Sequence, residues 1–208
     1  MGFYAEQIFS RVMDWALGSS IVARERRNAL DRAQGSVLEI GFGTALNLRH
    51  YPPAVSKLTV VDPNSMLADR VARRISEARM PVERFHLDAS GGLPFEDESF
   101  DTVVTTFTLC SIDEVEPALR EIRRVLRPSG LYIFLEHGRS GDPRVARRQD
   151  FFNPVQKLIA CGCHLNRPIG NLIRESAFRI VELDCFQMPG MPRIMGECYR
   201  GIAHRAVN

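Results

Sequence analysis

The stretch Val37-Leu-Glu-Ile-Gly-Phe-Gly-Thr44 decides the fold. A short apolar strand runs directly into two glycines one residue apart, and a helix is expected directly after them, between Thr44 and His50. Gly41 and Gly43 let the backbone turn sharply and approach a ligand closely, with Phe42 between them, and the amides of a helix starting there would point at that ligand. Asp62 ends the next strand 21 positions after Gly41, where a carboxylate can accept both hydroxyls of a ribose. The plain structural alternative is a tight strand-to-helix turn, with Asp62 capping a helix at Ser65.

Outward from this turn the texture repeats. Short apolar strands at 37–40, 58–61, 82–87, 100–106 and 131–137 alternate with helices expected at 65–78 and 113–126, and Pro128-Ser129-Gly130 reads as the turn before the fifth strand. Such alternation implies a parallel sheet with helices on both faces. Beyond His137 come a polar, arginine-rich loop, a stretch from Phe151 to His164, a short helix after Pro168, and two strands at about 179–187 and 197–204. Met188-Pro-Gly-Met-Pro-Arg193 between them has no helical period, so the last two strands are expected to pair as an antiparallel hairpin. The fold class is therefore α/β.

An all-parallel dinucleotide fold would not end this way, and two residues in the turn agree. The third glycine of G-x-G-x-x-G would fall at Leu46, and Glu39 would repel a pyrophosphate while suiting a cationic amino group such as that of a methionyl moiety.

The 208 residues, 45% of them apolar, suffice for one core, so a single domain is expected: a helical lid over 1–34, a cofactor core over 36–140, and substrate-side helices with the terminal hairpin over 141–208. With 27 Lys plus Arg against 25 Asp plus Glu, the net charge of +2 gives no general reason to bind nucleic acid. Five cysteines, an odd number, and no secretory leader fit a reducing, cytoplasmic setting.

Read in order, Val37-Leu-Glu-Ile-Gly-Phe-Gly-Thr44, Val61-Asp-Pro-Asn64, His86-Leu-Asp-Ala89, Leu93-Pro-Phe95, Ser99-Phe-Asp-Thr-Val-Val104 and Leu126-Arg-Pro-Ser-Gly130 resemble the successive motifs of class I S-adenosylmethionine methyltransferases of the ubiquinone/menaquinone type. The resemblance implies S-adenosyl-L-methionine as cofactor and a seven-stranded, mostly parallel sheet with an antiparallel last strand. It further implies that Asp62, followed by Pro63, holds the ribose hydroxyls. Asp88 would take the adenine amino group with Ala89 beside it, and Thr106 would lie near the methionyl part. Glu39, Gly41, Phe42, Gly43, Thr44 and Asn47 complete the expected cofactor set. The family often has a third glycine where this chain has Ala45, a mild departure. Thr108-Leu-Cys-Ser111, Asn153-Pro154, Glu136-His-Gly138 and Cys163-His-Leu-Asn-Arg167 resemble more narrowly the branch containing the mammalian microsomal alkyl-thiol methyltransferases.

A sulfonium methyl is already activated, so the enzyme has to align the acceptor, exclude water and manage one proton. A small hydrophobic thiol is the first choice of acceptor, with phospholipid N-methylation and quinone C-methylation as alternatives. A non-catalytic S-adenosylmethionine-binding module is the rival of another class. His137, at the carboxyl end of the fifth strand, is the candidate base or acceptor-positioning residue, against a structural histidine satisfied by its loop. Cys110 stands near the expected methyl position and doubles as a small packing residue. Cys161-x-Cys163-His164 lacks C-x-x-C spacing and a second pair, so it reads as pocket wall and no metal is expected. Tyr4, Ile8, Val12 and Trp15, at helical spacing, form the apolar stripe of an amphipathic helix that reads as a lid, with peripheral membrane contact as the alternative. Arg139, Arg144, Arg147 and Arg148 read as a solvated loop that would otherwise meet an anion.

Overall fold

A computed structural model describes residues 10–64, 67–160 and 162–206. Tyr4 and Ile8 of the expected stripe, Ser65 and Cys161 lie outside the described residues. The strands are β1 (Gly35–Ile40), β2 (Val55–Val61), β3 (Val82–Phe85), β4 (Phe100–Thr106), β5 (Leu126–His137), β6 (Phe178–Gln187) and β7 (Glu197–Arg205). The helices are α1 (Ser10–Leu17), α2 (Ser20–Leu30), α3 (Ala68–Ser76), α4 (Val115–Val125), α5 (Pro143–Ile159) and α6 (Ile169–Glu175).

One seven-stranded sheet has the order β3-β2-β1-β4-β5-β7-β6. The first five strands pair in parallel, and β7 inserts antiparallel between β5 and β6, so the expected terminal hairpin is present. Strand side chains alternate between the faces, as the pleat requires. Val37, Leu58, Val60, Val104 and Ile133 pack with Ala29 and Leu30 of α2 and Val71 of α3. Leu38, Ile40, Val103 and Phe134 pack with Leu119 and Ile122 of α4 and Ile173 of α6. Each fully buried aliphatic or aromatic side chain contributes roughly 1.5–3 kcal/mol by leaving water, which is why the central strands read as nearly continuous apolar runs. Register brings Ile40 level with Val61 on one side and Thr105 on the other. The residues that follow these three therefore meet along one carboxyl edge, where the chain order reverses between β1 and β4 and open α/β sheets bind ligands.

Four local expectations are corrected. No α-helix follows the glycine turn: residues 41–47 turn irregularly and only Leu48–His50 forms a 3₁₀ turn. Ala45 takes a left-handed φ of 65°, and Pro52-Pro53 leaves no room for a longer helix. Arg127–Gly130 is an irregularity inside β5 rather than a turn preceding it, since pairing with β4 skips from Leu126 to Leu131. The arginine-rich loop after His137 is mostly α5, whose exposed side carries Arg144, Arg147 and Arg148. Asp142 caps α5, its side chain accepting from the Arg144 amide at 2.8 Å, and Pro143 occupies the first turn. Finally, Val12 and Trp15 of α1 are not buried. Trp15 is 81% exposed and Asp14 faces inward at 6%.

Candidate active site

The turn between β1 and the 3₁₀ segment is tied to the end of β2. The Gly41 amide donates to the Val61 carbonyl at 2.9 Å, and the Gly43 amide donates to Asp62 Oδ2 at 2.7 Å. Gly41 has φ 80°, and a Cβ there would run into the Thr108 side chain, so glycine is required twice over. Gly43 has φ 53°, and a Cβ would meet nothing within 4 Å, so its backbone faces open space. Asp62 Oδ1 accepts from the Asn64 amide at 2.8 Å; burial raises the carboxyl's pKa against these bonds. Phe42 is buried beneath the Arg84 guanidinium, and Pro63 is exposed beside Asp62. Farther along the edge, Asp88 Oδ1 accepts from the amide and hydroxyl of Ser90, while Ala89 is buried.

Inside the turn lies a buried polar knot. Glu39 accepts from Asn47 Nδ2 at 2.9 Å and from the Tyr51 hydroxyl at 2.7 Å. Thr106 Oγ1 accepts from Asn47 Nδ2 at 3.0 Å and from Arg26 at 2.9 Å, and Arg26 also donates to Asn47 Oδ1 at 2.7 Å. Burial pushes the Glu39 carboxyl up to about 7, opposed by the bonds from Tyr51 and Asn47 and by the Arg26 charge. The same burial lowers the Arg26 guanidinium to about 10, and its Nε has no partner. Glu39, Asn47 and Thr106, all expected in the cofactor set, are thus brought together. Arg26 was missed because nothing in Arg24-Glu-Arg-Arg27 distinguishes one arginine from its neighbours.

Thr44 joins this knot to the N-terminal helix. Its carbonyl accepts from Arg74, which also pairs with Asp14 at 2.6 Å, and Asp14 bonds Arg70 as well. Burial alone would raise the Asp14 pKa, but hydrogen bonds from Arg74, Thr44 and Arg70 outweigh it and hold the carboxyl at about 2.

On the other side of the sheet's switch point, three chemically active side chains converge from three elements. Cys110 follows β4, His137 ends β5, and Cys163 lies on the α5–α6 connection. The sulfurs are 3.6 Å apart, and Cys163 Sγ is 3.8 Å from His137 Nδ1. His137 is only 7% exposed, and its Nε2 has no partner. The bond shared between the two sulfurs holds the Cys163 thiol pKa below its usual range, helped by His137, while Cys110 is pushed well above its own by the same bond and by burial. Cys163 is the less buried of the two thiols. The loop bearing Cys110 hangs on Glu136, whose Oε2 accepts from the amides of Thr108 at 2.9 Å and Cys110 at 3.4 Å. Glu136 Oε1 has no partner, and burial raises this carboxyl to about 7.

The spacing Cys161-x-Cys163-His164 therefore means something other than a local pair. His164 turns its ring toward Asn153 at 3.4 Å, and its amide donates to the Cys110 carbonyl at 2.8 Å. Arg167, buried, donates to the Leu109 carbonyl. The segment 163–167 is stitched to 109–110. Arg139 pairs with Asp150 at 2.6 Å and is committed to the protein itself.

Residues 38–134 match the family described as "Methyltransferase domain". The chain is 34% identical over 175 residues to thiol S-methyltransferase TMT1B of Rattus norvegicus, covering 79% of this chain and 70% of that protein. It is 32% identical over 179 residues to a phosphatidylethanolamine N-methyltransferase of Cereibacter sphaeroides, covering 82% and 84% of the two chains. The fold is shared with N-methyltransferase NodS of Bradyrhizobium japonicum in complex with S-adenosyl-L-homocysteine, with a TM-score of 0.67 at 20% identity, over 96% of this chain and 97% of that one. The sheet order is that of a Rossmann-like fold, and the chain belongs to the S-adenosylmethionine-dependent methyltransferases. The residues at the turn fit that cofactor: open space over Gly43, a carboxylate at the end of β2, and a buried carboxylate and guanidinium beside one another.

Proposed function

We propose that this methyltransferase transfers its methyl group to the sulfur of a small, hydrophobic thiol. The observation that carries the reading is the 34% identity to a thiol S-methyltransferase over most of the chain. A cluster of two thiols and an imidazole at the carboxyl edge supports it. S-adenosylmethionine supplies an electrophilic methyl on a sulfonium. In this reading Asp62 holds the ribose hydroxyls, Asp88 and Ala89 the adenine, Glu39 the amino group of the methionyl part, and the unpaired Nε of Arg26 its carboxylate. Asn47 and Thr106 orient Glu39 and Arg26 through the hydrogen bonds given above. His137 and Cys163 face the acceptor, and α1 with α2 forms the lid, the buried Asp14 holding it to Arg74 beside the turn.

Identity to a phosphatidylethanolamine N-methyltransferase over 84% of that protein favours a second reading, methylation of a lipid amine. Peripheral membrane contact belongs with it and is supported by the outward stripe of Val12 and Trp15 on α1. No helix among the described residues is long and apolar enough to cross a membrane. The thiol reading sets the enzyme in the cytoplasm, where reducing conditions keep Cys110 and Cys163 as thiols. An acceptor panel with isotopically labelled methyl donor, read by product mass, tests both: alkyl thiols are expected to gain the label. Inert thiols beside labelled phosphatidylethanolamine in detergent would replace the first reading by the second.

A further inference from the structure

We propose that Cys110, His137 and Cys163 form a site for a thiophilic divalent metal, zinc by donor set, whose open fourth position takes the sulfur of the acceptor. The three donor atoms lie within 4.8 Å of one another. A tetrahedral zinc with Zn–S of ~2.3 Å and Zn–N of ~2.0–2.1 Å has edges of ~3.8 Å between sulfurs and ~3.5 Å between sulfur and nitrogen. The separations here are 3.6 Å between the sulfurs and 3.8 Å from Cys163 Sγ to His137 Nδ1. The donors arrive on a fixed strand end, a loop pinned by Glu136, and a segment bonded to the Cys110 carbonyl, so all three are held within 4.8 Å of one another by the fold itself. His137 turns Nδ1 toward the Cys163 sulfur, the side on which the ion would sit. Two thiolates neutralise a divalent ion, which suits a buried site. Three protein ligands and one open position are the arrangement of reactive rather than structural zinc.

The placement of the acceptor rests on the thiol reading, whereas the metal site itself does not. On coordination the acceptor's S–H proton leaves to solvent. In transfer, the new S–CH3 bond forms as the sulfonium C–S bond of S-adenosylmethionine breaks. The products are a thioether and S-adenosylhomocysteine, with no oxidant or reductant.

The full chain, purified without chelator from zinc-supplemented cells, is expected to hold one zinc per chain by elemental mass spectrometry. Exchange for Co2+ is expected to give sulfur-to-cobalt charge transfer and the visible absorption of a tetrahedral site, and an alkyl thiol is expected to shift those bands. Cys110→Ser and Cys163→Ser should each abolish the bands while binding S-adenosylmethionine normally, and Cys185→Ser, at an exposed position, should keep them. A wild-type chain that takes up neither metal overturns the site, whatever the variants do. Metal-free protein that methylates thiols at full rate overturns the metal's part and leaves the thiol reading standing. Bound cobalt whose spectrum ignores thiols, in protein that methylates none, confirms the site and overturns the thiol reading.

Discussion

Two buried glutamates near the ends of parallel strands on either side of β4 invite comparison. Glu39 near the end of β1 and Glu136 in β5 are both fully enclosed, and burial pushes both carboxyls up to about 7. Around Glu39 the partners are side chains, Asn47 and Tyr51, with Arg26 beside them, and both oxygens are engaged. Around Glu136 the partners are backbone amides of the Cys110 loop, and one oxygen is left over. The first environment is a knot in which a carboxyl faces a guanidinium; the second is a bracket that sets the position of a thiol. Burial alone does not say which role a carboxylate has. Its partners do.

The comparison is broken most directly by removing a charge from the knot. Arg26→Ala leaves Glu39 without its cation and should cost about 3–5 kcal/mol of folding stability, measured by denaturant unfolding; a loss below about 1 kcal/mol would mean that Glu39 is neutral in the folded protein. Asp62→Ala removes the partner of the Gly43 amide and, in the proposed placement, a charge-assisted contact to the cofactor, and should raise the calorimetric Kd for S-adenosylmethionine roughly 10- to 100-fold. Cys110→Ala, on the acceptor side, should change that Kd by less than about twofold. Equal effects would erase the division between the two halves.

The pH dependence of binding sharpens the contrast further. The groups facing Glu39 are Tyr51, Arg26 and Asp62. In the free protein its raised pKa stabilises the fold fully below the ordinary 4.5, and this contribution is lost as pH rises through about 7. A cationic amino group placed on Glu39 favours the ionised form, so cofactor binding should expel a proton below pH 7. Affinity should then rise with pH by at most ~10-fold per unit and level off above it. Glu39→Gln should flatten the profile; a slope that survives the substitution assigns the proton elsewhere. The smallest effect is expected at Trp15→Ser, within about 0.5 kcal/mol in unfolding, because the ring is 81% exposed. Loss of vesicle binding in that variant would move weight to the lipid reading.

What could be read along the chain was the part of the fold written in local periodicity. The parallel strands, the terminal hairpin and the demand for glycine at 41 and 43 all follow from side-chain alternation and backbone sterics, which act within a few residues. The same locality explains the errors. Asp142-Pro143 signalled a helix start but was hidden among arginines, and Thr44–His50 had helical composition but no room before Pro52. The inward turn of Asp14 was invisible because its partners, Arg70 and Arg74, lie on another helix.

By itself the sequence determined the α/β class, the glycine turn after the first strand and the carboxylate at the end of the second strand, because each depends on neighbours in the chain. Only the tertiary structure decided that Arg26 enters the knot of Glu39, and that Cys110, His137 and Cys163 stand within reach of one another. Those contacts span tens of residues and are set by sheet order and register, which bring strand ends to one edge regardless of how far apart they lie in sequence.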